Sequence, residues 1–531
     1  MSKSIIVVLL IAAFLRFYKL DSYPVSISWD EAAIGYNAYS IAQTGKDEYG
    51  QKFPVLFRSF NDYKLPGYIY LDALLIKIFG LSSFTTRMPS ALMGVFAILA
   101  IYLLVKNLFN QKVAAIASFF LAISPWHLQF SRAAFESNGA LTIVLYGIVL
   151  LLLGLRNKIW AFLSIPILAA SLYFYYSPRI FIPLILAAFI IIFRKEIIPN
   201  FKFFAFGFLA AAVISIPIVT RVLSFEGQKR VREVSVFADP SLAKIYADTR
   251  LKNELPLENI FLNQRIPYAI EVLKNYSTYF SPTFLFFAHD PNPRHRSFNQ
   301  GNFYLFEIVT ILLGAFLLMR QKETKSKFFL LAWLLAAPIP ASFAKDSPHA
   351  LRALLMLPAL VIISAIGAKS LLNVNMTRLI ALPIVLITFI FYAISYYILY
   401  PRQDSQSWAF GHRQLYSKLS QLEKTADTVI VSGYYWKPYI FYLYYNKIDP
   451  ALYQKEENQQ KIGKYKFGIA GWDGGQDLNG QILESQKNKE TLVAISPREY
   501  QALENKSRLK ILETIGDYSG GNAVFLIGVW Q

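Results

Sequence analysis

The chain has 531 residues, of which 55% are hydrophobic and only 16% are charged, and its mean hydropathy is +0.37. This composition is too apolar for a soluble protein of this size and predicts a polytopic membrane protein. The absence of cysteine excludes disulfides, thiol catalysis and metal sites with cysteine ligands. The net charge of +19 lies largely in short loops between apolar runs, where the positive-inside rule accounts for it without a nucleic-acid partner.

Apolar runs recur through the first three quarters of the chain and predict about eleven transmembrane helices. The approximate spans are 4–20, 88–105, 113–125, 138–155, 159–176, 180–193, 203–220, 303–319, 328–344, 350–371 and 379–399. Several runs are shorter than the roughly 20 residues that cross about 30 Å of hydrocarbon, so their ends are approximate. The first run is placed like a signal peptide, but no small-residue cleavage site follows it. We therefore expect an uncleaved first span.

Basic residues in the short loops orient the predicted helices. One side carries Lys3, Lys106, Lys112, Arg156, Lys158, Arg194, Lys195, Lys202, Arg320, Lys322, Lys325 and Lys327. By the positive-inside rule this side is cytoplasmic, and so is the N-terminus. The extracytoplasmic side then receives 21–87, 126–137, 177–179, 221–302, 345–349 and everything after Tyr400. We expect a multi-pass protein of the cell membrane with an extracytoplasmic C-terminal domain.

The two long outer loops differ in character. Loop 21–87 contains apolar stretches at 32–42 and 67–80 that are short and carry polar residues, which predicts helices lying in the membrane interface. Loop 221–302 mixes charges of both signs. A structureless loop of this length is uncommon in a compact domain unless it is functional.

The composition changes after Tyr400. Strand-like runs lie at Thr428–Val431, Phe467–Ala470, Leu492–Ile495 and Val524–Val529, and helical stretches lie near 405–424 and 437–446. This pattern predicts a small α/β domain. The fold class is therefore an α-helical polytopic membrane domain, 1–400, followed by an extracytoplasmic α/β domain, 401–531. We find no internal repeat, glycine-rich phosphate loop or zinc-like ligand spacing.

Polar residues near the apolar runs collect on the outer side. The outer edges hold Asp30, Glu31, Asp62, Lys64, Arg132, Glu136, Arg179, His295, His349 and Arg352. The inner edges hold mainly lysines and arginines in short loops. Acids, bases and histidines at one face of a helical bundle indicate a reaction centre there. A channel would instead carry polar residues at mid-membrane depth, and few are found.

The most informative motif is the acidic pair Asp30–Glu31, just beyond the first apolar run. A carboxylate beside hydrocarbon is costly unless it is hydrated, paired or used. The structural interpretation is that the pair begins a helix, because acids favour helix N-termini. The predicted topology, which places the pair among the other outer polar residues, favours a catalytic role for Asp30. Glu31 remains the candidate for the helix start.

Other polar groups also have two interpretations. Arg132 and Glu136 lie four residues apart and either pair on one helix face or serve the site. Arg352, three residues after His349, either binds a phosphate through two nitrogens or reaches out to lipid headgroups. Lys64 lies beside a predicted interfacial helix, where a contact with a lipid phosphate is expected.

The basic run Arg294-His295-Arg296 either holds a phosphate or diphosphate or is a solvated loop. A lipid-phosphate substrate would unite these groups, since its phosphate would meet lysine and arginine at the interface. A carboxylate would then act as general base toward an acceptor hydroxyl. The basic groups would stabilise the charge that builds on the departing phosphate.

An ordered set of motifs carries a resemblance to a known superfamily. The set is Trp29-Asp30-Glu31, Lys64-Leu65-Pro66, Arg87-Met88-Pro89-Ser90-Ala91-Leu92, Arg132 with Glu136, and His349-Ala350-Leu351-Arg352. With the predicted topology, it resembles the protein O-mannosyltransferase and lipid A aminoarabinose transferase superfamily, which are GT-C glycosyltransferases similar to glycosyltransferase family 39. The resemblance covers roughly residues 1–400. The remainder resembles only the variable extracytoplasmic domain of such proteins.

The resemblance implies a GT-C fold and an inverting transferase that moves a hexose or pentose from polyprenyl phosphate to a hydroxyl of a protein, lipid or glycan. It implies that Asp30 is the base, that Glu31 completes the motif and that Glu136 is a second acidic position. Lys64 would contact the lipid phosphate. The further candidates for that contact are Arg132, Arg294, Arg296, His349 and Arg352.

The chain departs from the superfamily at the lysine motif. Some members have Glu directly before the lysine, where this chain has Tyr63, and Asp62 is one position off. His295 matches a histidine that helps to hold a metal in some members. We therefore expect no required cofactor, with a divalent metal at His295 as the alternative.

Other functions stay open at this point. A transporter or flippase for a lipid-linked sugar would need polar residues at mid-membrane depth and often paired broken helices, which the sequence does not clearly show. Another lipid-linked transfer, of a phosphoryl group or an oligosaccharide, is the enzymatic alternative. A membrane anchor for the domain 401–531 would leave the outer polar residues unexplained.

Overall fold

The computed structural model describes residues 3–531 apart from 61, 239–240, 242–243, 245–264, 289, 297, 299, 425, 436, 457–459, 469–489 and 504. Parts of the predicted outer loop 221–302 and of the predicted strand Phe467–Ala470 lie outside the described residues. The chain divides into two compact units. The first consists of Met1–Tyr18, Arg58–Gly67 and Ser90–Ser395, and the second of Lys19–Phe57, Tyr68–Pro89 and Tyr396–Gln531.

The chain is mainly helical as far as Leu399. The α-helices are Lys3–Phe17, Trp29–Thr44, Pro66–Phe79, Ser83–Leu108, Gln111–Ile123, Pro125–Ser131, Glu136–Gly154, Lys158–Ala170, Pro178–Ile197, Phe201–Leu223, Phe225–Val234, Arg265–Thr278, Phe306–Arg320, Lys325–Ala336, Ile339–Ser342, Leu357–Leu372 and Asn375–Ile394. Short 3₁₀ or π segments are Ser171–Tyr173, Ile198–Asn200, Val236–Ala238, Thr283–Phe287, Pro293–His295, Leu354–Met356 and Ser395–Leu399. Strands β1 (Phe57–Ser59) and β2 (Asp62–Lys64) form a two-stranded sheet.

A helix lies on each apolar run that was predicted as a span. Five described segments are long and apolar enough to cross a membrane by themselves: Ser83–Leu108, Glu136–Gly154, Pro178–Leu223, Leu354–Leu372 and Asn375–Trp408. A sixth would be the pair Gln111–Ile123 and Pro125–Ser131, which is bent by 59°. The predicted count of about eleven stays a prediction, because several helices are shorter than a full span.

The first outer loop contains helices over both of its predicted apolar stretches, at Trp29–Thr44 and Pro66–Phe79. The first of these ends at Gly45, whose φ of 67° is a left-handed conformation that favours glycine. The location of both helices in a membrane interface stays a prediction.

The second unit also contains the C-terminal sheet. Its strands are β3 (Thr428–Val431), β4 (Lys461–Ile462), β5 (Tyr465–Phe467), β6 (Thr491–Ile495), β7 (Leu509–Gly516) and β8 (Ala523–Trp530), in the order β4-β5-β3-β6-β8-β7. β3 pairs in parallel with β5 and β6, and the other pairs are antiparallel. The accompanying helices are Tyr400–Asp404, Ser405–Trp408 (3₁₀), His412–Leu422, Pro438–Tyr445, Pro450–Tyr453, Pro497–Ala502 and Lys506–Arg508 (3₁₀).

This sheet confirms the predicted α/β character of the C-terminal region, with β3 at its predicted bounds. The second unit, however, also includes Lys19–Phe57 and Tyr68–Pro89. It is therefore composed differently from the predicted domain 401–531, and that division at residue 400 stays a prediction.

Two helices of the first unit, Phe306–Arg320 and Leu357–Leu372, cross at close range through glycines. A Cβ on Gly314 would lie 1.9 Å from the carbonyl oxygen of Ile363, and a Cβ on Gly367 would lie 2.0 Å from that of Thr310. Small residues of this kind let helix backbones approach where lipid supplies no hydrophobic drive. The crossing fixes the helix that follows residues 347–353, a segment that carries candidate site residues.

Candidate functional site

The acidic motif begins the helix Trp29–Thr44 through a capping box. The Ser28 hydroxyl accepts a hydrogen bond from the Glu31 amide (3.3 Å), and a Glu31 carboxylate oxygen accepts one from the Ser28 amide (3.0 Å). This exchange satisfies two backbone donors that a helix start leaves without partners. Asp30 occupies the second position of the helix and is half-buried.

Glu31 also forms a buried ion pair with Arg87. Arg87 Nε lies 2.8 Å from Glu31 Oε1, and both side chains are almost inaccessible to solvent. The same guanidinium donates to the carbonyl oxygens of Leu20 (3.1 Å) and Pro24 (2.8 Å) and to that of Ser26. Glu31 therefore stabilises the start of its helix and also binds Arg87, which donates hydrogen bonds to the preceding loop.

Arg132 plays a comparable part in the first unit. Its guanidinium is buried and donates to the carbonyl oxygens of Leu15 (2.5 Å), Arg16 (3.2 Å) and Tyr18 (2.8 Å). These contacts give Arg132 a structural role at the end of the first helix, and its predicted contact with a lipid phosphate stays a prediction. Glu136 is the half-buried first residue of the helix Glu136–Gly154.

The segment Ser347–Arg352 is held from several sides. The Ala350 amide donates to Asp290 Oδ2 (2.7 Å), and the Ala350 carbonyl accepts from Trp126 Nε1 (3.1 Å). The Arg352 carbonyl accepts from the Ser177 hydroxyl (3.0 Å). These bonds fix the backbone that carries the side chains of His349 and Arg352.

Three side chains next to this segment form a group suited to a metal ion. Asp290, His295 and His349 each offer one ligand atom, and these atoms lie within 4.8 Å of one another. The distances from Asp290 Oδ2 to the Nδ1 atoms of His295 and His349 are 3.6 Å and 3.9 Å. Buried His295 Nδ1 has no hydrogen-bond partner among the described residues. Two imidazoles and one carboxylate are a donor set that zinc accepts, with a fourth position left open. The residues therefore fit a divalent cation.

The protonation states of this group suit a cation. Burial raises the pKa of Asp290, but the neighbouring imidazoles of His295 and His349 and the Ala350 amide outweigh it and hold that pKa at about 2. Burial lowers the pKa of His295 below its usual value in spite of Asp290. Near pH 7 the carboxylate is thus ionised and the His295 ring is neutral, the forms that bind metals.

A cavity of about 240 Å³ lies beside the same segment. Its lining includes Tyr176, Arg179 and Arg352. Arg179 Nη2 and Arg352 Nη1 are buried and have no hydrogen-bond partner within the described part of the chain. Arg352 Nη2 lies 3.8 Å from a carboxylate oxygen of Asp346. The Asp346 side chain is 79% exposed, so this ion pair is weak. Buried guanidinium donors without partners indicate room for an anion.

Tyr176 connects this cavity to the lysine motif. The Arg179 guanidinium lies 4.2 Å from the centre of the Tyr176 ring. The Tyr176 hydroxyl donates to the carbonyl oxygen of Tyr63 (3.1 Å). Tyr63 directly precedes Lys64, which is buried at the end of β2.

The structure brings together some predicted site residues. The rings of His295 and His349 are 4.6 Å apart, and Arg352 lies close enough to His295 to affect its pKa. Arg294 and Arg296 flank His295, and the Arg294 carbonyl accepts from Gln129 Nε2 (2.8 Å). Asp30 and Glu31 belong to the second unit, whereas the other predicted site residues, Lys64, Arg132, Glu136, Arg294, His295, Arg296, His349 and Arg352, belong to the first.

Three residues that sequence reasoning gave no role stand out. Asp290 completes the metal-like group, and Arg179 lines the cavity. Asp72 is fully buried, its carboxylate oxygens have no hydrogen-bond partner among the described residues, and burial raises its pKa well above the usual value. The sequence signal for Arg179 was its position at the predicted extracytoplasmic end of a span, where the positive-inside rule gives no reason for an arginine.

Comparisons with known proteins agree with the motifs. Residues 64–220 match the family model of dolichyl-phosphate-mannose-protein mannosyltransferase. A stretch of 126 residues is 30% identical to dolichyl-phosphooligosaccharide-protein glycotransferase 2 of Pyrococcus horikoshii. That match covers 22% of this chain and only 16% of the relative, so the chain matches a small part of that protein's length.

Solved structures are similar over nearly the whole chain. ArnT from Cupriavidus metallidurans, solved with bound undecaprenyl phosphate, has a TM-score of 0.58 to this chain at 12% sequence identity. The match covers 99% of this chain and 97% of the ArnT chain. The oligosaccharyltransferase of Archaeoglobus fulgidus, in a complex with zinc and sulfate, has a TM-score of 0.53 at 17% sequence identity. That match covers 94% of this chain and 69% of the oligosaccharyltransferase chain. The resemblance to the GT-C superfamily is confirmed, and the chain is a multi-pass membrane protein with this fold.

The buried pair predicts a stability effect. Replacing Arg87 with Ala leaves the Glu31 charge buried and three carbonyls without their donor, which should cost about 3–5 kcal/mol. Arg87→Lys should restore little, because an ammonium cannot match the spread of guanidinium donors. The thermal midpoint of the detergent-purified protein, followed by tryptophan fluorescence, measures this. Lys77→Ala, which removes an exposed cation of the same unit, is the control. Equal midpoints for Arg87→Ala and the wild type would contradict the prediction.

The metal-like group predicts specific zinc binding. Protein dialysed after exposure to zinc should retain about one ion per chain, measured by elemental mass spectrometry. Asp290→Asn and His349→Ala should each lose it, because two protein ligands hold zinc far less tightly than three. Asp346→Asn changes an exposed carboxylate of the same region and should retain the ion. Retention of zinc by both ligand variants would rule the site out.

Proposed function

We propose that this protein is an inverting glycosyltransferase that moves a sugar from a polyprenyl-phosphate donor to an acceptor hydroxyl at the extracytoplasmic face of the membrane. The observation that carries the proposal is the cavity lined by Arg179 and Arg352, each with a buried guanidinium nitrogen that lacks a partner among the described residues. The undecaprenyl phosphate bound by the similarly folded ArnT supports a lipid-linked donor.

A phosphate fits the chemistry of this cavity. Guanidinium groups bind phosphate oxygens through pairs of parallel hydrogen bonds, which are stronger than bonds between neutral groups. Tyrosine rings supply the apolar wall that an isoprenoid chain needs beside a polar headgroup. Lys64 directly follows Tyr63, whose carbonyl accepts a hydrogen bond from Tyr176 of the cavity wall, and this supports our proposal that Lys64 adds a third positive charge.

The proposed reaction is a single displacement at the anomeric carbon. Asp30 accepts the proton of the acceptor hydroxyl as general base. The acceptor oxygen bonds to the anomeric carbon while the bond from that carbon to the phosphate oxygen breaks. The lipid phosphate leaves with the bonding electron pair, and Arg179, Arg352 and Lys64 stabilise its charge. Attack opposite the leaving group inverts the configuration of that carbon.

Glu31 has a positioning role in this proposal. Its carboxylate oxygens accept hydrogen bonds from Ser28 and Arg87, which sets the start of the helix that carries Asp30. A divalent cation held by Asp290, His295 and His349 would supply further positive charge near Arg352. Asp290 also holds the segment that carries Arg352, because its carboxylate accepts a hydrogen bond from the Ala350 amide.

The first test removes the proposed base. Asp30→Asn should lower the transfer rate by about 10²-fold or more, because the amide cannot accept the proton. Purified protein is incubated with a panel of radiolabelled polyprenyl-phosphate sugars, and the labelled product is quantified. Glu456→Gln, which changes an exposed carboxylate of the same unit, should keep the wild-type rate. Wild-type turnover by a folded Asp30→Asn variant would refute the role of Asp30.

The second test concerns the phosphate. Arg179→Ala and Arg352→Ala should each raise the KM for the donor by about tenfold or more, since each removes charge-assisted hydrogen bonds. The KM for the acceptor should change little. Arg320→Ala, at an exposed helix end elsewhere in the first unit, is the matched control. If both cavity variants keep the donor KM of the wild type, the phosphate binds elsewhere.

A further inference from the structure

A second cleft lies entirely within the second unit. It has a volume of about 200 Å³. It is lined by the segment Asp21–Ser26 after the first span, the start of the helix His412–Leu422 and the tip of the β7–β8 hairpin. Nine of its ten lining residues carry a side chain that can form hydrogen bonds, and Val25 is the exception. None of these residues has a part in the proposed transfer step.

The hairpin tip holds Tyr518 in a defined position. Asp517 Oδ1 accepts hydrogen bonds from the Ser519 hydroxyl (2.9 Å) and the Gly521 amide (3.1 Å). Asp517 Oδ2 accepts from Asn522 Nδ2 (3.0 Å). The turn is therefore built before any ligand arrives, which lowers the entropy lost on binding.

Aromatic contacts frame the cleft on the side of the first outer loop. The hydroxyls of Tyr23 and Tyr518 are 3.3 Å apart. Tyr23 meets Tyr397 edge-on with ring centres 5.1 Å apart, and Tyr518 meets Phe410 at 5.5 Å. Tyr445 hydrogen-bonds the Ser26 hydroxyl (3.4 Å). Rings with polar tips offer both an apolar face and a hydrogen-bonding edge.

Charged and amide groups complete the lining. Arg413 and Gln414 are exposed residues in the first turn of their helix, which follows Gly411 without a side-chain cap. Asp21 adds a carboxylate to the same cleft. A carboxylate accepts only, a guanidinium donates only, and hydroxyl and amide groups do both. Such a mixture suits a neutral ligand rich in hydroxyls better than a phosphate, which Asp21 would repel, or an apolar peptide side chain.

The size of the cleft agrees with one sugar ring. A cavity of about 150 Å³ accommodates benzene in a protein interior, and this cleft is larger. We propose that it binds a neutral sugar residue of an acceptor glycan. This inference rests on the proposed transferase function and names the acceptor class that the sequence left open.

The position of the cleft along the chain suits an acceptor. Ser26 lines the cleft, and the proposed base, Asp30, follows four residues later. Four residues span at most about 14 Å. A glycan held through one sugar in the cleft therefore has its neighbouring sugars within reach of the carboxylate that would deprotonate an acceptor hydroxyl.

The test measures binding separately from transfer. Saturation-transfer NMR of the full-length protein in detergent is recorded with mannobiose, cellobiose and N-acetyllactosamine, and with a serine- and threonine-containing peptide as the competing class. At least one disaccharide should bind. Tyr518→Ala and Gln414→Ala should each weaken that binding by about fivefold or more through loss of a hydrogen-bonding or stacking group.

Two variants make the result specific. Gln421→Ala removes an exposed glutamine from the same helix outside the cleft and should bind as the wild type does. Asp30→Asn should also bind normally, which separates a failure of this inference from a failure of the proposed base. The inference is overturned if no disaccharide binds, if disaccharide binding is indifferent to Tyr518 and Gln414, or if the peptide binds there instead.

Discussion

Irregular backbone next to a membrane must find hydrogen-bond donors, and two buried arginines supply them here. Arg132 binds the carbonyl oxygens at the end of the first helix, from Leu15 to Tyr18, and Arg87 binds those of Leu20, Pro24 and Ser26. A carbonyl without a partner in a low-dielectric environment costs several kcal/mol. Arg132 therefore satisfies carbonyls at the end of the first helix, and Arg87 satisfies three carbonyls of the loop that leads to Asp30.

The two acids of the motif differ in their hydrogen bonds and in their burial. Glu31 has its carboxylate committed to the Ser28 amide and to Arg87 inside the protein. Asp30 stands one position earlier and is half-buried. Adjacent carboxylates thus occupy different environments because a helix turns about 100° per residue. The structural interpretation of the motif therefore holds for Glu31, and the catalytic role of Asp30 stays a proposal.

Local pattern determined how much could be predicted from the sequence. Hydropathy marked the apolar runs that were predicted as spans, each of which carries a helix, and a short apolar run marked β3. Neither signal marked β7 at the edge of the sheet, because more exposed residues interrupt its buried ones and leave no continuous apolar run. Of the metal-like group, the sequence predicted only His295, and it did so through a resemblance. Asp290 and His349 are recognised as members because the fold brings them close to His295. Arg179 could be recognised as a candidate site residue only from the structure, in which it lines the same cavity as Arg352.

The short segment Ser347–Arg352 serves two candidate ligands at once. His349 faces the metal-like group, Arg352 lines the cavity, and the Ala350 amide between them bonds to Asp290. A cation bound by the group and an anion bound in the cavity would order the same few residues. Their affinities are then thermodynamically linked, and each would change the other by the same factor. If the proposed function holds, the supply of metal in the cell would set how tightly the protein binds the lipid phosphate.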